Sequence, residues 1–348
     1  MTEQSKHIIL RKKEHLELCK TDAVQFMEKT SGFEKYDFLH SAITEVQITK
    51  IDFAKKFFGK NVSYPLLISC MTGGTAEGEN INLQLAEVAA ELNIPLGLGS
   101  LRFALETNDY DEHFKLIRKA AKEVPILGNI GGAQIIKMKS FKSLITLLEK
   151  VEADVLVVHL NPLQEFLQKN GDPNFYGIKK SLGKLVKYSP MPIIVKEVGS
   201  GISKKSAKVL LDLGVVGIDV AGAGGTSWAG VELLRNKQSV KNLFWDWGLP
   251  TSFCIKKTAE LKKKNKFMLI GSGGINSSFD VAKALALGAD FTASARIILQ
   301  TLVKTKQTGV VSLISGWFED VKLIMYLTDS QNLRSFGKEK LILKKDFY

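Results

Sequence analysis

The segment 159–165, which reads HLNPLQE, brings an imidazole, two amides and a carboxylate together directly after an apolar run at 154–158. In α/β enzymes, chemistry collects where a buried strand ends in a loop, because the strand fixes position and the loop admits a ligand. Mg²⁺ is commonly held by one or two carboxylates together with phosphate oxygens and water. Glu165 is therefore a candidate Mg²⁺ ligand beside an anionic ligand, with Gln164 and His159 as further candidate site residues.

Each of these side chains also has a structural interpretation. A glutamate in the first turn of a helix is stabilised by the helix dipole. A glutamine can be an ordinary surface amide, and a histidine inside an apolar run can be a core residue with satisfied hydrogen bonds. The neighbouring elements must therefore decide between these interpretations.

The composition is that of a globular protein. The chain has 348 residues and a net charge of +12, and no apolar run reaches the length of about 18 residues that a transmembrane helix needs. The amino terminus lacks the apolar core of a signal peptide. The three scattered cysteines form no CxxC pair, which favours a reducing, cytoplasmic location. The lysine runs carry no interleaved aromatic residues, so they indicate solvated faces rather than a nucleic-acid interface.

Short runs rich in Val, Ile and Leu recur along the chain, each followed by a turn and a segment with helical periodicity. They predict strands at 66–71, 95–99, 125–130, 154–160, 192–197, 216–221, 267–271 and 290–295. Continuous apolar strands that alternate with helices favour an α/β fold of the closed parallel (β/α)8 TIM barrel type. We expect an N-terminal extension at 1–64, and the barrel with its C-terminal helices at 65–348.

Helical periodicity is clearest at 80–92 and 279–287. We also expect a helix at 21–29 in the extension and a final helix or helix pair at 300–340. The longest insertion between strands, 227–266, is typical of a lid or a binding loop.

Glycines follow the seventh predicted strand, where barrels commonly bind a phosphate at the amino end of a helix. Gly273 and Gly274 would let backbone N–H groups approach a phosphate closely, assisted by the N–H groups near Ala295 and Arg296. The alternative is a tight turn that requires positive φ. Thr226, after the sixth strand, could add a hydroxyl or cap a helix.

Lys196 ends the fifth predicted strand, and Asn129 ends the third. A cation at this place would stabilise negative charge on a reduced flavin ring, although a desolvated lysine can also form a Schiff base. An ion pair with Glu197 is not expected, because successive strand residues face opposite sides. Asn129 can hydrogen-bond a polar ring edge or serve as a turn residue.

Basic residues outside the barrel add a candidate anion site. Arg11 and Lys12 are adjacent, and such a pair can clamp a diphosphate, the arginine through two parallel hydrogen bonds and the lysine as a point charge. Ser100 and Arg102, after the second strand, would complete this clamp. The alternatives are a solvated basic tail and an exposed arginine in a turn.

Together these segments resemble type 2 isopentenyl-diphosphate delta-isomerase, the flavin-dependent form of that enzyme. The resemblance runs from Arg11 to Arg296, and HLNPLQE is its most specific part. The matching motifs are RKxxH at 11–15, MTGG at 71–74, GLGSLR at 97–102, NIGG at 129–132, HLNPLQE at 159–165, VKEVGSGIS at 195–203, AGGTSW at 223–228 and GSGGI at 271–275.

The resemblance implies interconversion of isopentenyl and dimethylallyl diphosphate for isoprenoid biosynthesis, with reduced FMN as acid and base. It also implies Mg²⁺, NADPH as reductant, and a homo-oligomer of tetramer size or larger. The implied FMN contacts are Met71, Thr72, Gly73, Ser100, Asn129, Lys196, Thr226, Gly273, Gly274, Ala295 and Arg296. The implied substrate contacts are Arg11, Lys12, Ser100, Leu101, Arg102 and Gln164. The implied catalytic residues are Lys196, Gln164 and His159, and the implied Mg²⁺ ligand is Glu165.

Leu101 departs from the family pattern, in which many members have Gln at this position. A leucine cannot make the amide contact with the substrate. Arg102 is retained, so charge pairing with the diphosphate is retained too.

The alternatives are three other kinds of barrel enzyme and a non-catalytic flavin carrier. A hydroxy-acid oxidase would need a histidine near strand seven, and none lies at 267–296; an enzyme like IMP dehydrogenase would need a cysteine after strand six, and 222–226 has none. A Schiff-base aldolase would act through Lys196 and be trapped by borohydride. A non-catalytic flavin carrier would leave the basic pair Arg11 and Lys12 without a role.

Overall fold

The eight apolar runs form a closed barrel of parallel strands, as predicted. The computed structural model describes residues 3–71, 73–107, 111–238 and 242–346. In sequence-order numbering, the barrel strands are β4 (Leu66–Ile68), β5 (Leu96–Ser100), β6 (Ile126–Gly131), β7 (Val155–His159), β8 (Ile193–Lys196), β9 (Gly217–Asp219), β10 (Met268–Ser272) and β11 (Phe291–Ser294). Pairing of β9 with β10 and of β11 with β4 closes the barrel.

Four short strands lie outside the barrel. β1 (Tyr36–Phe38) pairs antiparallel with β12 (Leu341–Leu343), which joins the two ends of the chain. β2 (Lys55–Phe57) and β3 (Lys60–Val62) form a hairpin.

A helix precedes the barrel and further helices follow its strands, as expected for repeated βα units. They are α1 (Glu3–Cys19), α2 (Ala76–Leu92), α3 (Arg102–Thr107), α4 (Asp111–Ala120), α5 (Gly132–Lys137), α6 (Lys142–Lys150), α7 (Pro162–Leu167), α8 (Ile178–Tyr188), α9 (Lys204–Asp212), α10 (Trp228–Arg235), α11 (Thr251–Ala259), α12 (Ser278–Ala286) and α13 (Arg296–Leu327). Side-chain caps fix several starting points: Thr75, Ser203, Ser227 and Ser277 each accept a backbone N–H of the first turn.

The last helix begins at Arg296 rather than near residue 300, and Lys306 interrupts it with a non-helical backbone (φ 60°, ψ −164°). This region was expected to form a final helix or helix pair, and it forms one helix with an interruption at Lys306. No helix in the described ranges combines the length and the apolar character that a membrane span requires.

The prediction of a helix at 21–29 is wrong, because the helix of the extension is α1 and this segment follows it. Apart from one turn, in which Gln25 N–H donates to Asp22 O at 3.1 Å, its backbone groups bond mainly to the insertion after β9. Ser227 N–H donates to Val24 O at 2.8 Å, and Trp245 Nε1 donates to Gln25 O at 2.8 Å. Arg11 and Lys12 consequently lie within the first helix and not before it.

The barrel interior is closed below the strand ends by the hairpin. Phe57 and Val62 pack with inward side chains of the barrel, among them Leu127, Ile270 and Phe291. The Phe57 and Phe291 rings meet edge to face with centroids 5.0 Å apart. The larger core lies between the barrel and its helices.

We expect Phe57→Ala to destabilise the fold by about 3–5 kcal/mol, because it empties a fully buried aromatic site in this layer. Chemical denaturation would measure the change in the free energy of unfolding. The matched control is Leu243→Ala, whose side chain is 92% exposed and whose replacement should cost less than about 0.5 kcal/mol. Equal losses in the two variants would contradict the assigned core.

Candidate active site

A cavity of about 250 Å³ opens at the carboxyl ends of the barrel strands. Strand register brings its floor residues together, since Ser100 pairs with Asn129 and His159 pairs with Lys196. Parallel barrel strands all end at one face, so side chains distant in sequence meet there. This cavity is therefore the candidate active site.

Most of the predicted site residues line this one cavity. They are Arg11, Lys12, Met71, Gly73, Ser100, Arg102, Asn129, His159, Gln164, Glu165, Lys196, Thr226, Gly273, Gly274, Ala295 and Arg296. Thr72 lies outside the described residues. Leu101 does not follow the prediction: its side chain is 2% exposed and belongs to the hydrophobic core between barrel and helices.

The position of Leu101 has a simple physical cause. Leu101 follows Ser100 directly, and successive residues at a strand end face opposite sides. Ser100 faces the cavity, so Leu101 packs into the core. The substrate contact predicted for the Leu101 side chain is therefore not supported.

His159 is a partly buried, neutral residue of the cavity floor. Its Nδ1–H donates to Asn129 Oδ1 at 2.9 Å, which leaves Nε2 as an acceptor and turns the Asn129 amide nitrogen to other partners. Burial, assisted by the charge of Lys196, lowers the pKa of His159 to about 3. This geometry favours an orienting role over proton donation by an imidazolium.

Lys196 supplies a cation at the floor. Its side chain is 8% exposed, and Nζ donates to the backbone oxygen of Glu197 at 2.6 Å. The Glu197 carboxylate points elsewhere and accepts the backbone N–H groups of Val198 and Gly199 at 2.6 and 2.7 Å. The expectation that these neighbours face opposite sides is confirmed.

The glycines after β10 form the tight turn that the sequence offered as one interpretation, and they also lie at the cavity wall. Gly273 and Gly274 have φ of 98° and 72°, a region that favours glycine. A Cβ on Gly273 would collide with the backbone of Gly222. Both glycines also line the cavity. At this turn the cavity wall is therefore formed by backbone atoms that no side chain covers.

The amino end of α13 faces the same part of the cavity. Its first-turn N–H groups have no partner within the helix, and Ala295 and Arg296 line the wall. Arg296 donates to Asp22 at 2.7 Å, whereas its Nε is buried without a hydrogen-bond partner among the described residues. The amino end of the helix and the Arg296 guanidinium therefore place positive electrostatic potential at this part of the wall, where an anion would be favoured.

A second group of cations comes from α1 and α3. Arg11, Lys12 and Arg102 all line the cavity, and Arg102 Nε donates to Glu106 at 2.9 Å. Lys12 Nζ is enclosed, with no hydrogen-bond acceptor in the described ranges. Burial, followed by the charges of Arg11 and Arg102, lowers the pKa of Lys12 to about 7. An anionic ligand would relieve this repulsion.

Glu165 is a buried carboxylate at the start of α7, with 6% of its surface exposed. It accepts hydrogen bonds from Asp172 N–H at 2.7 Å and from Asn161 Nδ2 at 3.2 Å. Among the described residues no three His, Cys, Asp or Glu side chains are grouped to hold a metal ion by themselves. A cation at Glu165 would therefore take further ligands from a bound anion and from water.

Sequence reasoning missed Glu232, a fully buried carboxylate of α10. It accepts from His15 Nε2 at 2.7 Å and from Gln164 Nε2 at 3.3 Å. It thereby ties the helix that carries Arg11 to the segment that carries Glu165. The helical spacing of 228–235 could have indicated that Glu232 faces the protein interior. No local pattern could have indicated its partner His15, which is more than 200 residues away in sequence.

Comparison with known proteins gives matches over nearly the whole chain. The profile of the family described as FMN-dependent dehydrogenase matches residues 6–107 and 134–343. An isopentenyl-diphosphate delta-isomerase of Chlorobium phaeobacteroides is 41% identical over 350 residues, covering 97% of this chain and 96% of the relative. An isopentenyl-diphosphate delta-isomerase of Pyrococcus abyssi is 38% identical over 346 residues, covering 96% and 92%.

Solved structures share the fold at low sequence identity. The flavin-binding domain of baker's yeast flavocytochrome b2 has a TM-score of 0.68 at 17% identity, covering 92% of this chain and 79% of that one. A mandelate oxidase has a TM-score of 0.65 at 15% identity, with 98% of both chains covered. At these identities the likeness shows the fold alone.

The closed barrel and the match to the FMN-dependent dehydrogenase profile place the chain in a class of FMN-dependent barrel enzymes. The relatives narrow this class further. The chain belongs to the FMN-dependent dehydrogenase family and, within it, to the type 2 isopentenyl-diphosphate delta-isomerases.

Proposed function

We propose that the protein interconverts isopentenyl and dimethylallyl diphosphate, with reduced FMN and Mg²⁺ bound in the cavity. One observation carries this proposal: a single cavity combines two anion-binding groups, Arg296 at α13 and the cluster of Arg11, Lys12 and Arg102, with a buried cation at its floor. One anion site suits the cofactor phosphate and the other suits a substrate diphosphate.

The residues present fit FMN. The partnerless Nε of Arg296, the free N–H groups of α13 and the turn at Gly273 and Gly274 would hold the phosphate. Asn129 would hydrogen-bond the polar ring edge, and Lys196 would stabilise negative charge on the reduced ring. Met71, Gly73, Ser100 and Thr226 complete the wall. When bound, reduced FMN supplies the acid and the base for moving a proton along the alkene.

The residues also fit a diphosphate. Arg11 and Arg102 can each offer two parallel N–H donors, and the enclosed Lys12 Nζ has no acceptor of its own among the described residues. Gln164, held by Asn161 at 2.9 Å, would add an amide contact. We therefore propose that the extension at 1–64 supplies part of the substrate site.

Mg²⁺ would bind at Glu165. Burial and its hydrogen bonds from Asp172 and Asn161 fix the carboxylate, and its remaining lone pairs can face a cation. In the described part of the chain no lysine, arginine or histidine forms an ion pair with it. The metal would neutralise the diphosphate charge and anchor the substrate.

The affinity for inorganic diphosphate should fall as the pH rises above 7, because Lys12 loses its proton with a pKa of about 7. The charged form exists below that pH, so the loss occurs on the alkaline side, by up to about tenfold per unit. Lys12→Arg keeps its charge and should hold its affinity. Calorimetry from pH 6.5 to 9 gives the dissociation constants of the wild type and of Lys12→Arg. Their ratio at each pH isolates Lys12, because the titration of the ligand affects both proteins equally.

The control for this measurement is Lys13→Arg, because Lys13 is exposed and adjacent to Lys12. Lys13→Arg should follow the wild-type curve. A ratio between wild type and Lys12→Arg that stays constant over the whole range would contradict the titration of Lys12 in the site.

Hydroxy-acid oxidation is the second candidate, because the solved structures named above include such enzymes. The turn and helix between β10 and β11 contain no histidine, so the site lacks the base that this oxidation needs. The cysteine of an IMP-dehydrogenase-like site is likewise missing from 222–226.

We further propose NADPH as the reductant and a homo-oligomer of tetramer size or larger. The assembly is supported by large apolar side chains at the surface, among them Ile43 and Tyr176, which are 82% and 91% exposed. The free thiols of Cys19, Cys70 and Cys254 suit the reducing cytoplasm that we propose as location.

Anaerobic incubation with isopentenyl diphosphate, FMN, NADPH and Mg²⁺, followed by NMR, tests the function. Dimethylallyl diphosphate should form in the complete mixture and should be lost when FMN stays oxidised or Mg²⁺ is chelated. A protein that retains FMN but gives no product in the complete mixture would discredit the isomerase.

A further inference from the structure

Asp219, at the end of β9, is a buried carboxylate that none of the roles above uses. It is 2% exposed, and it lies beneath the cavity rather than on its lining. Its Oδ1 accepts from Ser272 Oγ at 2.5 Å, and the backbone N–H of Ala221 donates to it as well. A buried carboxylate needs compensation of its charge.

Strand register supplies a cation for this carboxylate. Asp219 pairs directly with Lys196 of the neighbouring strand β8, and register partners on parallel strands point to the same side of the sheet. Burial raises the pKa of Asp219, and Lys196 is the largest influence that opposes the rise. For Glu197, three backbone N–H groups oppose burial more strongly than Lys196 does.

Two of the other titratable groups that face Lys196, His159 and Cys70, carry no charge. His159 of β7 is neutral because its pKa lies at about 3. Burial raises the pKa of Cys70, beyond β4, to about 12, which keeps it a thiol. The carboxylate of Glu197, the residue after β8, is held by backbone N–H groups of the loop that follows it. Asp219 is thus the carboxylate best placed to compensate Lys196.

We propose that Asp219 is a positioning residue that keeps Lys196 cationic at the cavity floor, without touching a ligand itself. A buried lysine without a counter-charge tends to lose its proton. Asp219 also fixes Ser272, whose hydroxyl hydrogen is committed to the carboxylate. Ser272 lines the cavity and therefore offers lone pairs, not a donor, to whatever binds there.

The inference rests on the proposed function, because it assigns Lys196 to the reduced flavin. In the wild type, oxidised FMN should take up two electrons and one proton to give the anionic reduced ring, with Lys196 charged throughout. In Asp219→Asn, Lys196 should be neutral while FMN is oxidised, and it should take up a proton when FMN is reduced. Reduction then consumes two protons for two electrons.

The midpoint potential of the FMN-bound protein between pH 7 and 9 measures this stoichiometry. Anaerobic titration with dithionite and mediators should give a slope against pH that is twofold steeper in Asp219→Asn than in the wild type. A merely structural role would alter FMN affinity or stability but not the slope. Equal slopes in the two proteins would overturn the inference.

The double variant Lys196→Met/Asp219→Asn should have the slope of Lys196→Met alone, because the effect passes through Lys196. A change of slope on adding Asp219→Asn to Lys196→Met would mean that Asp219 acts by another route, and would overturn the proposal.

A second measurement requires neither FMN nor folding of Asp219→Asn. In Lys196→Met, the uncompensated Asp219 should take up a proton at neutral pH, giving an additional infrared carbonyl band of a protonated acid relative to the wild type. Absence of this band would contradict the pairing. Because this test uses the protein without cofactor, it separates failure of the pairing from failure of the proposed function.

Discussion

Replacing Lys196 with methionine should lower kcat for isomerisation by about 10²–10³-fold, the effect of removing one preorganised charge or donor from a buried site. Methionine roughly preserves the side-chain volume and removes the charge. Lys196 is nearly enclosed and is fixed by the backbone oxygen of Glu197, so neither water nor a neighbour can replace it. Anaerobic steady-state assays at saturating FMN and substrate measure the loss.

The matched control is Lys204→Met, which removes an exposed lysine paired with Glu260 on the outer surface. Its kcat should equal that of the wild type. A Lys196→Met variant that binds FMN and turns over at the wild-type rate would exclude Lys196 from catalysis. Borohydride with a carbonyl compound should trap no adduct on Lys196, since trapping would favour Schiff-base chemistry.

Replacing Glu165 with glutamine should raise the Mg²⁺ concentration needed for half-maximal activity by about 10–100-fold. Glutamine keeps the shape and can still accept from Asp172 N–H, but it removes the negative charge that we assign to the metal. Activity titrated with Mg²⁺ at fixed isopentenyl diphosphate gives the shift.

Glu260→Gln provides the control, because Glu260 pairs only with surface lysines among the described residues. It should leave the Mg²⁺ dependence unchanged. If Glu165→Gln gave the wild-type titration, Glu165 would no longer be a candidate ligand, and the diphosphate would have to be held by the cations alone.

The barrel could be predicted because its strands are buried on both faces, which makes each of them a continuous apolar run. The predicted strand 267–271 and the observed Met268–Ser272 differ by one residue. The polar residues after these runs had to meet, since a parallel barrel gathers all strand ends at one face. Lys196, Asn129 and Glu165 could therefore be placed from sequence alone.

Other features depend on contacts that no local pattern encodes. The segment 21–29 is not helical, because its backbone bonds to the insertion that contains Trp245. Leu101 lies next to a cavity residue but packs into the core, and a motif does not show which way a side chain turns. The roles of Glu232 and Asp219 depend on residues of other elements. Glu232 binds His15, and Asp219 pairs in register with Lys196.

As an isomerase, the protein would move a proton without net transfer of electrons to the substrate. The most direct test reduces the bound FMN with dithionite, omits NADPH, and follows isopentenyl diphosphate by NMR under anaerobic conditions with Mg²⁺. We predict many molecules of dimethylallyl diphosphate per flavin, while the flavin spectrum stays reduced. Product limited to one molecule per flavin, with the flavin reoxidised, would exclude the proposed isomerase.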